Sequence, residues 1–475
     1  MNRLARLDVQ YVWHPFTQMK EWMRQEPVVI VKGRGAVLQD VHGRKYVDAN
    51  ASIWTNLHGH CHPVLNRALR TQLNKIAHSS ALGLANEPAS LLAAELVRVA
   101  RLKQRQGPTT FRAAANPTLF KVFFSDDGST ALEVALKLAY EAARRLGRAG
   151  RQPRFLGLEG AYHGDTVGAV SLGHIELFHR TYAGLLFKSD AVMSPYCYRC
   201  PFNRAKPERA DARQYRRCQW ECLDKLKDKL SRARRMGKPY AAFVFEPLMQ
   251  GAAGMIAQPQ GWLGQAATLA REHGAWLIAD EVMTGFGRTG SLFACHREGI
   301  QPDFLCLAKG LTGGYLPMAA TLTTTEIFDA FLGDYSEFKS FFHGHSYTGN
   351  QLGAAVALAS LGLLQKPGAA AARQRLARHL SHALQTLWPL PQVGDIRQEG
   401  LVAGIELVRD WRTREPFPLA EKAGIRVCQA MAKRGVLTRP VGNVIVLMPP
   451  YCASKTQIDQ MVEALHVSVQ EVLGR

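Results

Sequence analysis

Two short apolar runs in the middle of the chain predict buried strands. Residues 276–279 and 304–308 are uninterrupted hydrophobic positions, which is typical of strands covered on both faces. Each run ends on a charged residue, Asp280 after the first and Lys309 after the second. Because ligands bind at the carboxyl ends of parallel strands, we expect the acid and the lysine to share one site. Two ordinary strand ends with a chance acid and lysine would give the same pattern.

Strand-like and helix-like segments alternate from about residue 120 to about residue 320. This order predicts an α/β fold with a doubly wound, mainly parallel sheet. In its first unit a strand at 121–124 leads into the turn SDDGST and then into a strong helix. The free N–H groups at a helix start bind anions, and Gly128 and Ser129 occupy that position. An ordinary helix cap formed by Asp127 or Ser129 would use the same residues.

The two ends of the chain differ in pattern from its centre. Residues 1–62 combine an aromatic-rich irregular segment with short strands joined by glycine turns. Residues 63–355 carry the alternating units and are expected to form the large domain, with an insertion at 194–238. Residues 356–475 mix helices and strands. We expect the two chain ends to build a smaller α+β domain together.

The chain of 475 residues is strongly basic, with 59 Lys and Arg against 39 Asp and Glu and a net charge of +20. The excess lies mainly in the segments 101–106, 141–154 and 232–238, which are predicted to be helix ends and surface loops. A basic chain raises the question of nucleic acid. No zinc-finger array, RNA-recognition signature or basic zipper accompanies these segments, so we expect no nucleic-acid partner.

Nothing in the sequence pattern indicates export or membrane insertion. The first 15 residues lack the apolar core of a secretory signal. The longest nearly uncharged apolar stretch, 352–364, is too short to span a bilayer. The nine cysteines show no disulfide framework, which favours a reducing compartment. A cytoplasmic protein without a membrane partner is therefore expected.

Four cysteines in the insertion have a spacing that resembles a zinc site. Cys197 and Cys200 are separated by two residues, and Cys218 and Cys222 by three. The second pair is predicted to lie one helical turn apart on one face, which would permit joint ligation. A surface loop with free thiols is the alternative, and we assign these cysteines no catalytic role.

Three histidines alternate with other residues in the loop HGHCH. His58, His60 and His62 suggest a metal site at first sight. Metal ligands usually need further Cys, His or acidic partners, and single-residue gaps in a glycine-containing loop are a poor ligand pattern. We favour packing within the loop.

The stretch DEVMTGFGRTG, which begins at Asp280, and the stretch AKGLTGGYLP, which contains Lys309, resemble the class III aminotransferases. These are fold-type I enzymes that depend on pyridoxal 5'-phosphate (PLP). The resemblance covers nearly the whole chain. WHPFTQM, IWTNLHGHCHP, GAYHGDTVGAVSLG and FFHGHSYTGNQLG narrow it to the branch that acts in biotin synthesis. The resemblance implies conversion of 8-amino-7-oxononanoate to 7,8-diaminononanoate.

The resemblance also implies roles for residues that match the family's motifs. Lys309 would form the Schiff base with PLP. Asp280 would bond the pyridine nitrogen and keep it protonated, so that the ring can take up carbanion charge. Tyr162 would lie against the ring, and Gly128 and Ser129 would hold the phosphate.

Further matches concern the substrate and a second subunit. Ser346 matches the position from which the neighbouring subunit completes the phosphate site, which implies a homodimer with its active site at the interface. Phe16, Trp54 and Gly344 would line the substrate pocket. Arg439 matches the arginine that binds the distal carboxylate, and an arginine fork suits that geometry.

The amino donor stays open. Members that use S-adenosylmethionine typically carry Tyr where this chain has Phe16, and a Trp pair where it has Ile53-Trp54. These positions look more like those of members that use lysine. Another ω-amino-acid aminotransferase of the same fold is the alternative within this class. A basic nucleic-acid-binding or scaffold protein that kept an inactive fold is the alternative outside it.

Overall fold

A seven-stranded sheet forms the centre of the computed structural model, which describes residues 1–102, 117–150 and 152–474. The strands of this sheet and of the smaller sheets are, in chain order, β1 (Ile30–Arg34), β2 (Val37–Asp40), β3 (Lys45–Asp48), β4 (Leu119–Ser125), β5 (Arg154–Leu158), β6 (Asp190–Val192), β7 (Tyr240–Phe245), β8 (Met249–Gln250), β9 (Ile256–Ala257), β10 (Trp276–Asp280), β11 (Phe304–Leu307), β12 (Ala319–Thr324), β13 (Val393–Glu399), β14 (Val402–Leu407), β15 (Val436–Leu437), β16 (Pro440–Val441) and β17 (Val444–Leu447).

Helices cover both faces of this sheet and the chain ends. They are α1 (Arg3–Tyr11), α2 (Met19–Trp22), α3 (Ala51–Trp54), α4 (Pro63–Leu73), α5 (Glu87–Ala100), α6 (Gly128–Arg145), α7 (Val167–Leu172), α8 (Glu176–His179), α9 (Ala212–Tyr215), α10 (Glu221–Arg235), α11 (Trp262–Glu272), α12 (Thr325–Asp329), α13 (Gln351–Leu364), α14 (Ala369–Leu384), α15 (Ala423–Lys433) and α16 (Lys455–Leu473).

The central sheet has the order β4-β12-β11-β10-β7-β5-β6. Only β12 runs antiparallel to its neighbours, so the predicted mainly parallel sheet is confirmed. Both apolar runs form strands as predicted, and β10 and β11 are parallel neighbours. Asp280 is in register with Cys306, three residues before Lys309. The two charged residues therefore leave the sheet at the same edge.

Helix α6 lies against β11 and β12 and begins where the sequence predicts. A reciprocal pair of hydrogen bonds between Asp127 and Thr130 caps its first turn. Its buried face is rich in alanine, which lets the helix backbone lie close to the sheet. The helix start is thereby held at the same edge as the ends of β10 and β11.

Two further sheets are built from the chain ends. In the first, β1, β2 and β3 form an antiparallel sheet whose fourth strand is β15, which pairs in parallel with β3. The second is antiparallel, in the order β13-β14-β17-β16. Its core contains apolar residues of α14, α15 and α16. The predicted domain boundaries after residues 62 and 355 stay predictions.

The three histidines of the loop HGHCH each have a local role. His58 shares a hydrogen bond with Ser360 of α13 at 3.0 Å. His60 donates to Asp48 at 2.9 Å, and the ring of His62 accepts the N–H of Val64 at the start of α4. The predicted packing role of this loop is confirmed.

We expect His58 to make the fold acid-sensitive. Burial lowers the pKa of His58 to about 3, whereas an unfolded histidine titrates near 6.5. Below pH 6.5 the unfolded chain therefore binds a proton that the folded chain does not, and stability is lost as the pH falls toward 3. The loss at pH 5 amounts to about 2 kcal/mol relative to pH 8.

Denaturant titrations of wild type and His58→Gln at pH 8 and pH 5 measure this effect. The variant should lose less stability between the two pH values. The matched control is His42→Gln, at an exposed histidine in the turn between β2 and β3. An equal pH dependence in wild type and His58→Gln would show that His58 is not the sensitive group.

The predicted helical pairing of Cys218 and Cys222 is wrong. Helix α10 begins only at Glu221, and the preceding Trp220 adopts a left-handed conformation with φ of 66°. Cys218 therefore lies outside the helix, where Arg216 donates a hydrogen bond to its sulfur at 3.0 Å.

The insertion that carries these cysteines is joined to the C-terminal sheet by charged side chains. Arg199 pairs with Glu406 of β14, and Arg209 donates to the carbonyls of Leu390 and Val393. Within the described residues, no group of three or more His, Cys, Asp or Glu is arranged to hold a metal ion. The cysteines are free thiols.

The basic segments partly coincide with helix ends. Helix α6 ends at Arg145 and α10 at Arg235, as expected for the segments 141–154 and 232–238. Residues 103–106 and 151 of the basic segments lie outside the described residues. Across the described ranges, no helix combines the length and apolar character needed to cross a membrane.

Candidate active site

A cavity of about 450 Å³ lies at the carboxyl ends of β7, β10 and β11. Its volume falls within the usual range for small-molecule sites, about 300–1,000 Å³. Six of the residues predicted for the site line it together: Trp54, Gly128, Ser129, Tyr162, Asp280 and Lys309. The expectation that the acid and the lysine share one site is confirmed as a matter of geometry.

Asp280 is buried at the end of β10 and is held by two partners. Its Oδ1 accepts the N–H of Val282 at 3.0 Å, and its Oδ2 accepts a hydrogen bond from His163 Nδ1 at 2.8 Å. Burial works to lower the pKa of His163, but the hydrogen bond and the charge of Asp280 outweigh it and raise that pKa.

Lys309 follows β11 and lies at the wall of the cavity. Burial lowers the pKa of its ammonium group, while Asp280 and Glu246 act in the opposite direction. Its Nζ lies 5.0 Å from the centre of the Trp54 ring, within cation–π distance. The backbone of Lys309 is left-handed, with φ of 45°, a conformation that often marks functional positions. An amine with a lowered pKa is suited to attack carbonyls and to move protons.

Glu246 is a second buried acid of the cavity, to which sequence reasoning assigned no role. It follows β7 and accepts the N–H groups of Tyr162 at 3.2 Å and of Gly251 at 2.8 Å. Burial raises the pKa of Glu246 to about 7. The sequence did contain a signal for this residue. Glu246 follows the apolar run 240–245, just as Asp280 follows the apolar run 276–279.

Gly128 and Ser129 are the first two residues of α6, and both line the cavity. Their backbone N–H groups make no hydrogen bond within the described part of the chain. Ser129 Oγ accepts the N–H of Asp165 at 3.1 Å. A side chain at position 128 would place its Cβ 2.7 Å from Val282 Cγ1, so only glycine fits there. The free N–H groups at the start of a long helix can bind an anion such as phosphate.

Tyr162 is connected to the N-terminal segment through an aromatic contact. Its hydroxyl donates to Asp165 at 2.6 Å, and burial raises the pKa of Tyr162. The ring of Phe178 lies 6.4 Å from that of Tyr162 and 5.3 Å from that of Phe16. Arg439 donates to the main-chain carbonyl of Phe16 at 3.1 Å. Phe16 and Arg439 are thus neighbours, although neither lines the cavity.

Gly344 and Ser346 lie outside the cavity lining of this single chain. Both are exposed, and the carbonyl of Ser346 accepts a hydrogen bond from His78 at 2.8 Å. The structure therefore does not bring these two residues together with Asp280 and Lys309. Their assigned roles stay predictions.

Trp54 reaches the cavity from α3, which is a single turn with left-handed backbone rather than a right-handed helix. The four residues Ala51, Ser52, Ile53 and Trp54 all have positive φ, between 45° and 69°. Left-handed backbone costs about 1–2 kcal/mol for each residue other than glycine and normally occurs at single positions. The turn is therefore strained, and interactions elsewhere must stabilise it.

We expect Ile53→Gly to stabilise the protein by up to about 1 kcal/mol. Glycine adopts φ of 61° without the Cβ clash of a branched residue, and this relief exceeds its larger loss of chain entropy. Ile53 is exposed, so little burial is lost. Denaturant unfolding measures the change. Ile30→Gly, at a similarly exposed isoleucine of β1, should destabilise; a loss of stability in both variants would contradict the assigned strain.

Comparison with known proteins assigns the chain to a family. Residues 18–469 match the model of the family Aminotransferase class-III. The chain is 47% identical over 467 residues to the adenosylmethionine-8-amino-7-oxononanoate aminotransferase of Geobacter sulfurreducens, a match that covers 98% of this chain and 97% of that protein.

Solved structures share the fold over nearly the whole length. The crystal structure of adenosylmethionine-8-amino-7-oxononanoate aminotransferase from Methanocaldococcus jannaschii has a TM-score of 0.88 and 39% identity, and covers 99% of both chains. A PLP-bound amine transaminase from an uncultivated Pseudomonas species has a TM-score of 0.86 and 30% identity, with 97% and 99% covered. The predicted fold class is confirmed, and this chain belongs to the class III aminotransferases.

Proposed function

We propose that this chain is a PLP-dependent aminotransferase that converts 8-amino-7-oxononanoate to 7,8-diaminononanoate in biotin synthesis. One observation carries the proposal: relatives named for this reaction match the chain over nearly its full length, at up to 47% identity. The site supports it, because an acid, a lysine and an anion-binding helix start line one cavity. We expect the enzyme to act in the cytoplasm, where its free thiols stay reduced.

The residues of the cavity fit PLP. The unused N–H groups of Gly128 and Ser129 would hold the phosphate, and the absence of a side chain at position 128 leaves room for it. Asp280, supported by His163, is the anion that a protonated pyridine nitrogen requires. Lys309 supplies the amine that binds the aldehyde.

When bound, PLP supplies an aldehyde that carries the amino group and a ring that takes up electrons from the reacting carbon. Asp280 would hold the proton on the ring nitrogen, where the positive charge would favour this uptake. The Nζ of Lys309 would accept the proton from the substrate carbon and return it to the neighbouring position. Its lowered pKa suits this role as a base.

Substrate recognition is assigned to residues beside the cavity. Arg439 would bind the distal carboxylate, for which the guanidinium has further N–H donors beside the one that Phe16 accepts. Trp54 and Tyr162 provide aromatic walls, and Met283 and Met318 add apolar surface. Such walls suit the apolar carbon chain of a keto acid that ends in a carboxylate.

The active unit is proposed to be a homodimer, with Gly344 and Ser346 of each subunit completing the other's site. Large apolar side chains are exposed in single-chain form on two loops: Leu82 is 92% exposed, Tyr335 is 94% exposed and Phe342 is 70% exposed. Burial of such a surface by a second copy would be favourable. Light scattering of the purified protein measures the assembly state.

Product analysis with purified enzyme tests the function. The enzyme receives 8-amino-7-oxononanoate together with either S-adenosylmethionine or lysine, and formation of 7,8-diaminononanoate is measured by mass spectrometry. We expect the diamine with one of these two donors. Absence of the diamine with every donor, together with turnover of other ω-amino acids, would replace the proposal by that broader activity.

A further inference from the structure

The strained turn Ala51–Trp54 is held by a carboxylate and a histidine outside it. Asp48, at the end of β3, accepts the N–H of Ser52 at 3.1 Å with Oδ1 and the hydroxyl of Ser52 at 2.9 Å with Oδ2. His60 donates to the same Oδ2 at 2.9 Å. The buried carboxylate therefore connects the interior of the turn to the loop that follows it.

His60 also fixes the exit of the turn. Its Nδ1 accepts a hydrogen bond from the side chain of Asn56 at 3.1 Å, while the backbone N–H of Asn56 bonds the carbonyl of Ala51 at 2.9 Å. The left-handed residues are thus enclosed between Asp48 before them and His60 after them. None of the four is glycine, so these bonds must offset the conformational cost.

The turn delivers the indole of Trp54 to the cavity. Its Nε1 donates to Asn50 at 2.8 Å, and its ring lies over the Nζ of Lys309 at 5.0 Å. The Cζ3 edge of the indole lies close to Gly251, where an added Cβ would be 3.2 Å from it. In a right-handed turn the Cα–Cβ bond of Trp54 would have a different direction. The contact with Lys309 therefore depends on the sense of the turn.

We propose that Asp48 and His60 are positioning residues of the aminotransferase. They keep Ala51–Trp54 left-handed and so hold the indole of Trp54 over the amine of Lys309. A ring at this distance from Nζ restricts the directions in which the Lys309 side chain can point. The inference rests on the proposed function, since it concerns the geometry of the proton-transferring amine.

The main test compares Asp48→Ala with Asp40→Ala in the full-length holoenzyme. Asp40 is a matched control: it is a buried carboxylate of the same sheet, and it accepts hydrogen bonds from Tyr46, Arg44 and His42 but none from the turn. Asp48→Ala should lower kcat by about 100-fold with little change in KM, because the amine is misplaced rather than the substrate lost. It should also weaken the circular dichroism of the bound cofactor.

Asp40→Ala should lower the melting temperature but leave kcat and the cofactor signal unchanged. If Asp48→Ala and Asp40→Ala both lower the melting temperature without changing kcat or that signal, Asp48 is structural only and the proposal is wrong. Should Asp48→Ala fail to fold, Asp48→Asn gives the answer. Its amide oxygen still accepts the Ser52 N–H, but the NH2 group that replaces Oδ2 cannot accept the hydrogen bonds from His60 and from the Ser52 hydroxyl. We therefore expect kcat to fall by about 10-fold; an unchanged kcat would overturn the proposal.

A measurement on the cofactor-free protein separates this inference from the proposed function. The near-ultraviolet circular dichroism of wild type minus that of Trp54→Phe reports how rigidly the indole is held. In the Asp48→Ala background this difference should vanish, and His60→Gln should reduce it. If the difference persists in full, the positioning role is wrong even for an active enzyme. If it vanishes while no aminotransferase activity is found, only the proposed function fails.

Discussion

Replacement of Lys309 by alanine is expected to abolish turnover, with kcat lowered by about 10⁴-fold. The proposed function gives this amine two tasks, the covalent hold on the cofactor and the transfer of the proton. Among the residues that the structure describes, no other lysine lines the cavity. Alanine can perform neither task, and its small side chain leaves the other residues that line the cavity in place. Single-turnover kinetics with each substrate, followed by absorbance, measure the loss.

The same variant should no longer retain PLP after borohydride reduction. In wild type, reduction followed by peptide mapping should find the cofactor on the peptide that contains Lys309. The control is Lys433→Ala, an exposed lysine at the end of α15, which should behave like wild type. A colourless wild-type protein after PLP is supplied, or a labelled Lys309→Ala variant, would remove the basis of the enzyme proposal.

Asp280→Asn is expected to lower kcat by about 10²–10³-fold with a small change in KM. The substitution keeps the shape of the side chain but removes the charge that favours a protonated ring nitrogen, and electrostatic terms of this kind are large in a dry site. It also removes the negative charge that helps to raise the pKa of His163. Rates of the two half-reactions, measured separately, should both fall.

Asp303→Asn is the matched control for this substitution. Asp303 is also a buried aspartate of the central sheet, but it lies just before β11 and bonds the N–H of Leu277, away from the cavity. It should reduce stability without changing kcat. Equal rates in wild type and Asp280→Asn would contradict the role proposed for the carboxylate.

The pairing of Asp280 with Lys309 was predictable from the sequence. Two apolar runs of strand length that end on charged residues suffice, because a parallel sheet brings its strand ends to one edge. The position of Gly128 at a helix start beside the cavity was predictable for the same reason, since a strand, a turn and a helix follow one another. Local periodicity carries these inferences without long-range information.

Other parts of the site were beyond local reasoning. Nothing in the letters ASIW indicates a left-handed turn, because the bonds that impose it come from Asp48 and His60 in the folded chain. The helix predicted through Cys218 failed for a related reason: Trp220 adopts a conformation that its own propensity does not favour. The contact between Arg439 and Phe16 joins residues more than 400 positions apart and has no local signal.

The parallel pairing of β15 with β3 has a consequence for how the protein is made. Val47 lies beside Val436, so the N-terminal sheet lacks its last strand until roughly 390 further residues have been synthesised. At translation rates of about 5–20 residues per second, β3 waits for about 20 to 80 s after it leaves the ribosome. Asp48 is the last residue of β3 and lies opposite Leu437 of β15, the last strand of this sheet to be synthesised. The nascent chain must therefore keep an unfinished sheet edge from aggregating during this interval, and the strained turn beside Trp54 is expected to form among the last steps of folding.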